Sequence, residues 1–186
     1  MYLFIEIVPF IMFIHKLATN QDIPNIKALM LNSIEKLLGT YLNEDEMEAS
    51  YESMGLDDQL IKDETYFLVY SDNILVGCGG WSNRKTLFGG NHTPNRENNF
   101  LNPKIDAAKI RAMYTHPDWS RKGIGTLLLK LSEEEALKAN FRRCELMATQ
   151  AGIPLYEKNG YKHLEEVLYK SKTGKTVRMS KMIKEL

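Results

Sequence analysis

The sequence predicts a mixed α/β (α+β) fold in a single domain. Helix-like and strand-like segments are interleaved along all 186 residues, and neither an internal repeat nor a low-complexity linker divides them. One helix-like segment stands between two strand-like segments, which is the arrangement that joins parallel strands through a crossover. A chain of this length can bury a sizeable core. We therefore predict one domain over residues 1–186.

The N-terminal segment is apolar but is not expected to span a membrane. It reads "MYLFIEIVPFIMFI", with Glu6 and Pro9 inside it, and it is too short to cross a bilayer. It has neither the basic start nor the small-residue cleavage site of a signal peptide. We interpret residues 1–11 as an extension ahead of the first strand, "FIHKLAT" (residues 13–19), and Met12 is an equally good natural start.

The first predicted helix covers residues 20–38. It has Asn20 or Asp22 as its N-cap and Gly39 at its end. Apolar residues recur on one of its faces at helical spacing, namely Ile26, Leu29, Met30 and Ile34.

An acidic segment at residues 44–52 predicts a second helix, and the run "TYFLVYSDNILVGCGGWS" predicts a hairpin that turns at Ser71-Asp72-Asn73. Residues 83–103 are rich in Gly, Asn, Pro and charge, which predicts a long loop. Long loops inside a domain are usually functional or disordered.

The second half of the chain predicts a strand–helix–strand unit followed by further strands. The predicted segments are strand 107–115, helix 123–140, strand 143–149, short helix 153–158, strand 161–169 and strand 175–183. Apolar residues at i, i+3, i+4 and i+7 give the helix one face for packing on the sheet, namely Ile124, Leu127, Leu128 and Leu131.

Two glycines stand where strand 107–115 turns into that helix. The segment reads "HPDWSRKGIGTLLLKL", with Arg121 and Lys122 directly before Gly123 and Gly125. The first turn of a helix carries unpaired N–H groups and the positive end of the helix dipole. Because glycine adds no side chain over these groups, the segment predicts a site for a phosphate or pyrophosphate.

The glycine pair does not match the common nucleotide-binding motifs. A Walker P-loop needs GxxxxGK[ST], which is absent, and a dinucleotide fingerprint needs a third glycine where Leu128 stands. The two glycines by themselves are equally compatible with a simple strand-to-helix turn that binds no ligand.

Composition narrows the class of protein. Lys plus Arg and Asp plus Glu number 24 each, so bulk charge does not indicate a nucleic-acid partner. Cys78 and Cys144 form no disulfide framework and suit a reducing, cytoplasmic compartment. No CxxC or HExxH spacing occurs and the histidines lie far apart, so we expect no metal. The four are His15, His92, His116 and His163.

Two linked motifs resemble a known family. The stretches "IRAMYTHPDW" with "SRKGIGTLLL", and "LYEKNGY" downstream, are similar to the Gcn5-related N-acetyltransferase (GNAT) superfamily of small-molecule and protein N-acetyltransferases, in its bacterial form. The family's phosphate loop, Q/R-x-x-G-x-G/A, is matched by residues 120–125, with Ser120 as a departure. Thr149 stands where many members carry Asn. The resemblance covers about residues 12–183 and is most specific over 110–161.

The resemblance implies a strongly twisted mixed sheet of six or seven strands, flanked by helices, in which strands 107–115 and 143–149 splay apart. Backbone groups near Met113 and Thr115 would then pair with pantetheine, and the loop would hold the pyrophosphate of acetyl-CoA, the cosubstrate. The implied coenzyme-binding residues are Met113, Tyr114, Thr115, Arg121, Lys122, Gly123, Ile124, Gly125, Thr126 and Thr149.

Amide formation needs a deprotonated amine, a polarised thioester carbonyl and a proton for the departing thiolate. The resemblance places Tyr156 as the acid that supplies this proton; the alternative is that its ring only packs beneath the coenzyme. A backbone N–H of strand 107–115 would polarise the carbonyl. No base stands out among Asp106, His92 and His116, and a water relay is equally compatible.

The resemblance implies direct transfer of an acetyl group to a primary amine of a small molecule or protein. The alternative is a non-catalytic acyl-CoA-binding sensor or interaction module. Nine acidic residues and one lysine lie between Glu44 and Glu64, which would attract a cationic amine or form only a solvated helix face. We expect neither nucleic acid nor membrane as a partner, and a homodimer stays open.

Overall fold

The computed structural model describes residues 12–186, so the predicted extension at residues 1–11 lies outside the described residues. The strands are β1 Ile14–Leu17, β2 Tyr66–Ser71, β3 Ile74–Ser82, β4 Ala108–Thr115, β5 Arg143–Ala148, β6 Lys162–Lys170 and β7 Thr176–Glu185. The helices are α1 Ile23–Ser33, α2 Glu44–Ser53, α3 Asp58–Lys62, α4 Ile124–Lys138 and α5 Ile153–Lys158. No helix in this part of the chain is long and apolar enough to cross a membrane.

The strands form one seven-stranded mixed sheet in the order β1-β2-β3-β4-β5-β7-β6. Every neighbouring pair is antiparallel except β4 and β5, which are parallel and are joined through α4. The predicted mixed sheet with a strand–helix–strand unit at its centre is confirmed.

The two parallel strands separate soon after they start. Only Ala108 and Lys109 of β4 pair with β5, opposite Cys144 and Glu145, whereas β5 pairs with β7 along its whole length. From Ile110 onward, the β5-facing edge of β4 is therefore free of β5. This confirms the predicted splay.

A β-bulge bends β4 where the gap has opened. The pairing with β3 passes from Cys78 opposite Tyr114 to Gly80 opposite Arg111, so one extra residue of β4 is accommodated. Ala112 lies in the left-handed region at φ 50°, which is unfavourable for a residue with a side chain by about 1–2 kcal/mol. The hydroxyl of Tyr66 donates to the Ala112 carbonyl at 2.7 Å, which helps to hold this conformation.

Two apolar clusters cover the two faces of the sheet. Successive residues of β2 alternate between them: Phe67 and Val69 belong to the cluster under α4, and Tyr66 and Leu68 to the cluster under α1 and α3. The predicted apolar face of the first helix is confirmed, because all four of its residues are buried. On α4, Ile124 and Leu128 are fully buried, and Leu127 and Leu131 pack at the edge.

Two local predictions differ from the structure. The helix predicted over residues 20–38 consists of a 3₁₀ turn at Asn20–Asp22, α1, and a π-helical turn at Ile34–Leu38. Pro24 lies in the first turn of α1, where its missing N–H is harmless. Helix α3 was not predicted, since five residues are too few to show a period; Asp57 caps it by accepting from the Gln59 N–H.

Candidate active site

Three adjoining cavities follow the gap between β4 and β5. The outer groove, about 470 Å³, lies at the first turn of α4. The middle cavity, about 150 Å³, lies between the end of α1 and α5, and the inner cavity, about 80 Å³, lies beneath residues 87–89. The outer groove and middle cavity share Leu37, Thr115, Gly125, Ala151 and Leu155. The middle and inner cavities share Met54, Met113, Tyr114, Thr149 and Tyr156.

The N-terminus of α4 faces the outer groove with open backbone donors. The first hydrogen bond of this helix runs from Leu127 N–H to Gly123 C=O at 3.0 Å. The N–H groups of residues 123–126 donate to no partner within the described part of the chain, as the first turn of a helix predicts. Gly123 has φ 89°, and a Cβ there would meet nothing within 4 Å. Its backbone conformation is therefore the reason for glycine at this position.

Gly125, predicted to give a ligand access to the helix N-terminus, also has a packing role. A Cβ on Gly125 would lie 2.6 Å from Cδ2 of Leu155, so glycine allows α4 and α5 to approach closely. The Asn159 side chain also links these helices by donating to the Leu155 carbonyl at 2.7 Å and to the Thr126 hydroxyl at 3.3 Å. This packing role was not predicted, because Leu155 lies 30 residues further along the chain.

The outer groove is basic. Lys36, Arg121 and Lys158 line it, and no Asp or Glu is among its described lining residues. Lys122, predicted to act beside Arg121, instead holds its ammonium 4.4 Å from the ring centre of Trp119 and does not line the groove. Sequence reasoning missed Lys36 and Lys158, because they come from the turn after α1 and from the end of α5.

Tyr156 borders the middle and inner cavities. Its ring stacks edge to face on Tyr161 at 5.9 Å, and its hydroxyl makes no hydrogen bond with any described residue. Burial raises the pKa of Tyr156, so the hydroxyl keeps its proton across the neutral pH range. Tyr156 therefore places a protonated phenol beside both cavities.

Three of the predicted coenzyme-binding residues lie, like Tyr156, where the middle and inner cavities meet. Met113, Tyr114 and Thr149 line both the middle and the inner cavity. The Tyr114 hydroxyl accepts from the Gly55 N–H at 3.0 Å, and burial raises its pKa. The Thr149 carbonyl accepts from Gly152 N–H at 2.9 Å and thereby orients the chain that enters α5.

The long loop at residues 83–103 is held in place by a buried charge cluster. Asp57 accepts from Arg96 at 2.6 Å and from Arg111 at 2.8 Å, and the side chains of Asp57 and Arg111 are each 2% exposed. Arg111 also donates to the Thr86 and Gly89 carbonyls, both at 2.7 Å. Burial lowers the pKa of Arg111, and Asp57 opposes this shift. The loop thus forms an ordered wall of the inner cavity.

The nine acidic residues between Glu44 and Glu64 contribute no carboxylate to the described walls of the three cavities. Seven of these nine make ion pairs or hydrogen bonds with other residues of the fold, namely Asp45, Glu46, Glu48, Glu52, Asp57, Asp58 and Asp63. Glu52, for example, accepts from the Tyr169 hydroxyl and the Lys172 N–H, which attaches the β6–β7 turn to α2.

The three candidate bases lie elsewhere. His92 contacts the Tyr51 carbonyl, Asp106 accepts from the Asn102 N–H, and His116 accepts from the Asp118 N–H. None of the three lines the outer groove, middle cavity or inner cavity.

Cys78 and Cys144 are buried, and burial raises the pKa of both thiols to about 12. Neither thiol lines the three cavities. Within residues 12–186, no group of three or more His, Cys, Asp or Glu side chains is arranged to hold a metal ion.

Known structures share this architecture. The GCN5-related N-acetyltransferase from Rhodopseudomonas palustris superposes with a TM-score of 0.68 at 18% identity, covering 93% of this chain and 95% of that chain. The PaiA N-acetyltransferase from Thermoplasma acidophilum, in complex with coenzyme A, gives 0.62 at 14% identity, covering 94% and 99%. The Salmonella typhimurium protein yncA, with its cofactor acetyl-CoA, gives 0.60 at 15% identity, covering 94% of each chain.

At these identities the structural likeness establishes the fold alone, and no curated protein matches the sequence. The model of the acetyltransferase (GNAT) family, however, matches residues 31–161, which is most of the chain. The chain therefore belongs to the GNAT family and is an acetyl-CoA-dependent N-acetyltransferase.

Proposed function

We propose that this chain transfers an acetyl group directly from acetyl-CoA to a primary amine, with the coenzyme in the outer groove and middle cavity and the amine in the inner cavity. The observation that carries the proposal is the continuity of the three cavities, which runs from the open helix N-terminus to Tyr156. This path provides anion binding at one end and a proton donor at the other.

The outer groove has the properties that a pyrophosphate requires. Four unpaired backbone N–H groups at residues 123–126 and the cations Lys36, Arg121 and Lys158 converge on it. Beyond it, the free edge of β4 at Met113–Thr115 supplies backbone groups for the pantetheine amides, as a sheet edge accepts an added strand. The two substrates would then meet at the junction that Met113, Thr149 and Tyr156 line.

The reaction joins the amine nitrogen to the acetyl carbonyl carbon and breaks the bond between that carbon and the coenzyme sulfur. A backbone N–H of β4 beside the Ala112 bulge would stabilise the charge that develops on the carbonyl oxygen. Tyr156 would protonate the departing thiolate and recover its proton through solvent from the nitrogen, so that the products are the amide and the free coenzyme thiol. The free hydroxyl of Tyr156 favours this catalytic function over a sensor.

Direct transfer is favoured over a covalent acyl-enzyme. A thioester intermediate would need a reactive cysteine at the cavities, whereas Cys78 and Cys144 lie outside their described walls and burial raises the pKa of each thiol. Both substrates would therefore have to be bound together.

Acetyl-CoA is expected to raise the melting temperature of the wild-type protein, because a ligand at one hundred times its Kd stabilises the folded state by about 2.7 kcal/mol. Gly123→Val should abolish this shift, since its side chain would project into the open space at the groove. Differential scanning fluorimetry with and without millimolar acetyl-CoA measures the effect.

Gly174→Val is the matched control. Gly174 has φ 84°, and its Cβ also would meet nothing within 4 Å, but it lies in the β6–β7 turn. Both variants should lose about 1–2 kcal/mol of stability from backbone strain, and only Gly123→Val should lose the acetyl-CoA response. A wild-type protein without any shift, or a Gly123→Val variant that retains it, would contradict the assigned coenzyme site.

A further inference from the structure

Large apolar side chains line much of the inner cavity, and polar atoms make up a similar share of its surface. Its side chains include Met54, Leu87, Phe88, Met113, Met147 and Met179. Its uncharged polar side chains are hydroxyls, among them those of Thr149 and Tyr156, and neither a carboxylate nor an imidazole is among its described lining residues. Such a cavity can hold an apolar group against these side chains, and its described walls offer a positive charge no carboxylate.

The one charged residue that lines the inner cavity, among the described residues, is a cation. Arg111 shares the carboxylate of Asp57 with Arg96, so two guanidinium groups face one carboxylate and the cluster is net positive. The electrostatic field of this cluster therefore opposes the entry of a positively charged ligand into the inner cavity.

We infer that the acceptor is a small apolar monoamine, taken up in its neutral form, and not a polyamine or another polycation. The inference rests on the proposed function, because it takes the inner cavity as the acceptor site. It replaces the cationic acceptor that the acidic residues between Glu44 and Glu64 suggested, since none of them lines the described cavity walls and seven of the nine pair with other residues.

The inner cavity is small. A volume of about 80 Å³ has room for about five to eight water-sized groups at roughly 10–15 Å³ each. An amine whose body has about that number of non-hydrogen atoms would fill it.

The described walls of the inner cavity hold no carboxylate or imidazole that could take a proton from the amine. The rate of acetylation should therefore depend on pH. The amine must lose its proton before it enters, so kcat/KM should rise about tenfold per pH unit below the amine pKa, roughly 10.4 for an alkylamine.

The test compares pentylamine with 1,4-diaminobutane. The two molecules have the same number of non-hydrogen atoms. Pentylamine ends in a methyl group where 1,4-diaminobutane carries a second ammonium. Release of the coenzyme thiol gives kcat/KM, and titration calorimetry of each amine into the protein with bound coenzyme A gives affinity without turnover. We expect pentylamine to exceed 1,4-diaminobutane about a hundredfold or more in kcat/KM, and to bind more tightly.

A variant pair tests the cavity itself. Met147 lines the cavity and is half-buried, so Met147→Glu should place a carboxylate there and Met147→Gln a neutral side chain of similar size. The Glu variant is expected to reduce the preference for pentylamine at least about tenfold or invert it, whereas the Gln variant should keep it. If the Glu variant does not fold, the wild-type comparison decides alone.

The outcomes separate the acceptor class from the acetyltransferase function. Equal or better use of 1,4-diaminobutane would overturn the inference and leave the acetyltransferase function standing. Binding of acetyl-CoA with no acetylation of pentylamine would also overturn the inference. Failure to bind acetyl-CoA, together with no thiol release from any amine, would overturn the proposed function itself.

Discussion

Replacement of Tyr156 by phenylalanine should lower kcat by about a hundredfold or more, the usual scale for general acid catalysis, while the affinity for acetyl-CoA barely changes. The ring would keep its packing on Tyr161, and only the proton donor would be lost. Because burial raises the pKa of Tyr156, the wild-type hydroxyl stays protonated as the pH rises. Steady-state kinetics, with coenzyme affinity measured separately by calorimetry, give the two quantities.

The reduction of kcat in Tyr156→Phe should become smaller at high pH. A departing thiolate whose thiol has a pKa of roughly 8.5 then needs less help from an acid. Tyr161→Phe is the matched control, because the Tyr161 hydroxyl is buried and the residue lines none of the three cavities. It should leave kcat unchanged. If Tyr156→Phe also retains wild-type kcat, Tyr156 acts by packing, and Tyr156→Ala should then reduce affinity and stability together.

The second large effect is expected for Asp57→Asn. The substitution would leave the guanidinium groups of Arg96 and Arg111 without their shared carboxylate in a site where the Arg111 side chain is 2% exposed. Removing one partner from a buried ion pair is destabilising by about 3–5 kcal/mol. In a chain of this length we expect the melting temperature to fall on the order of 10 °C.

Asp58→Asn provides the matched control for the loss of charge. Asp58 pairs with Lys62 at 2.9 Å, with the Lys62 and Asp58 side chains 57% and 37% exposed, so its removal should change the stability by less than about 1 kcal/mol. At a temperature where both variants are folded, Asp57→Asn should raise KM for the amine more than KM for acetyl-CoA, because the wall formed by residues 87–89 would loosen. Similar melting temperatures for the two variants would show that the loop is held by other contacts.

Several features of the fold could be predicted because they depend on neighbouring residues. The apolar period in Ile124 and Leu128 defined the buried face of α4, and the glycines at 123 and 125 marked the turn into it. The spacing between this turn and "LYEKNGY" identified the family, and with it the splay of β4 and β5. Such signals are local, since helix period, capping and turn conformation act within a few residues.

Other features of the site required the folded chain. Lys36 and Lys158 reach the outer groove from distant parts of the sequence, and the bulge at Ala112 depends on pairing with β3 and on the Tyr66 hydroxyl. Asp57 meets Arg96 and Arg111 across 39 and 54 residues.

The acidic residues between Glu44 and Glu64 were visible in the sequence, but their partners were not. The residue order alone showed the concentration of negative charge between Glu44 and Glu64, which suggested a cationic acceptor. In the fold, Glu52 contacts the β6–β7 turn and Asp57 lies buried between two arginines, so these charges hold structural elements together. The sequence by itself determines which charges the chain carries and the period of its helices and strands. Which side chains meet is decided only when the chain folds and brings distant segments together, because electrostatic and packing energies depend on distance in space and not along the sequence.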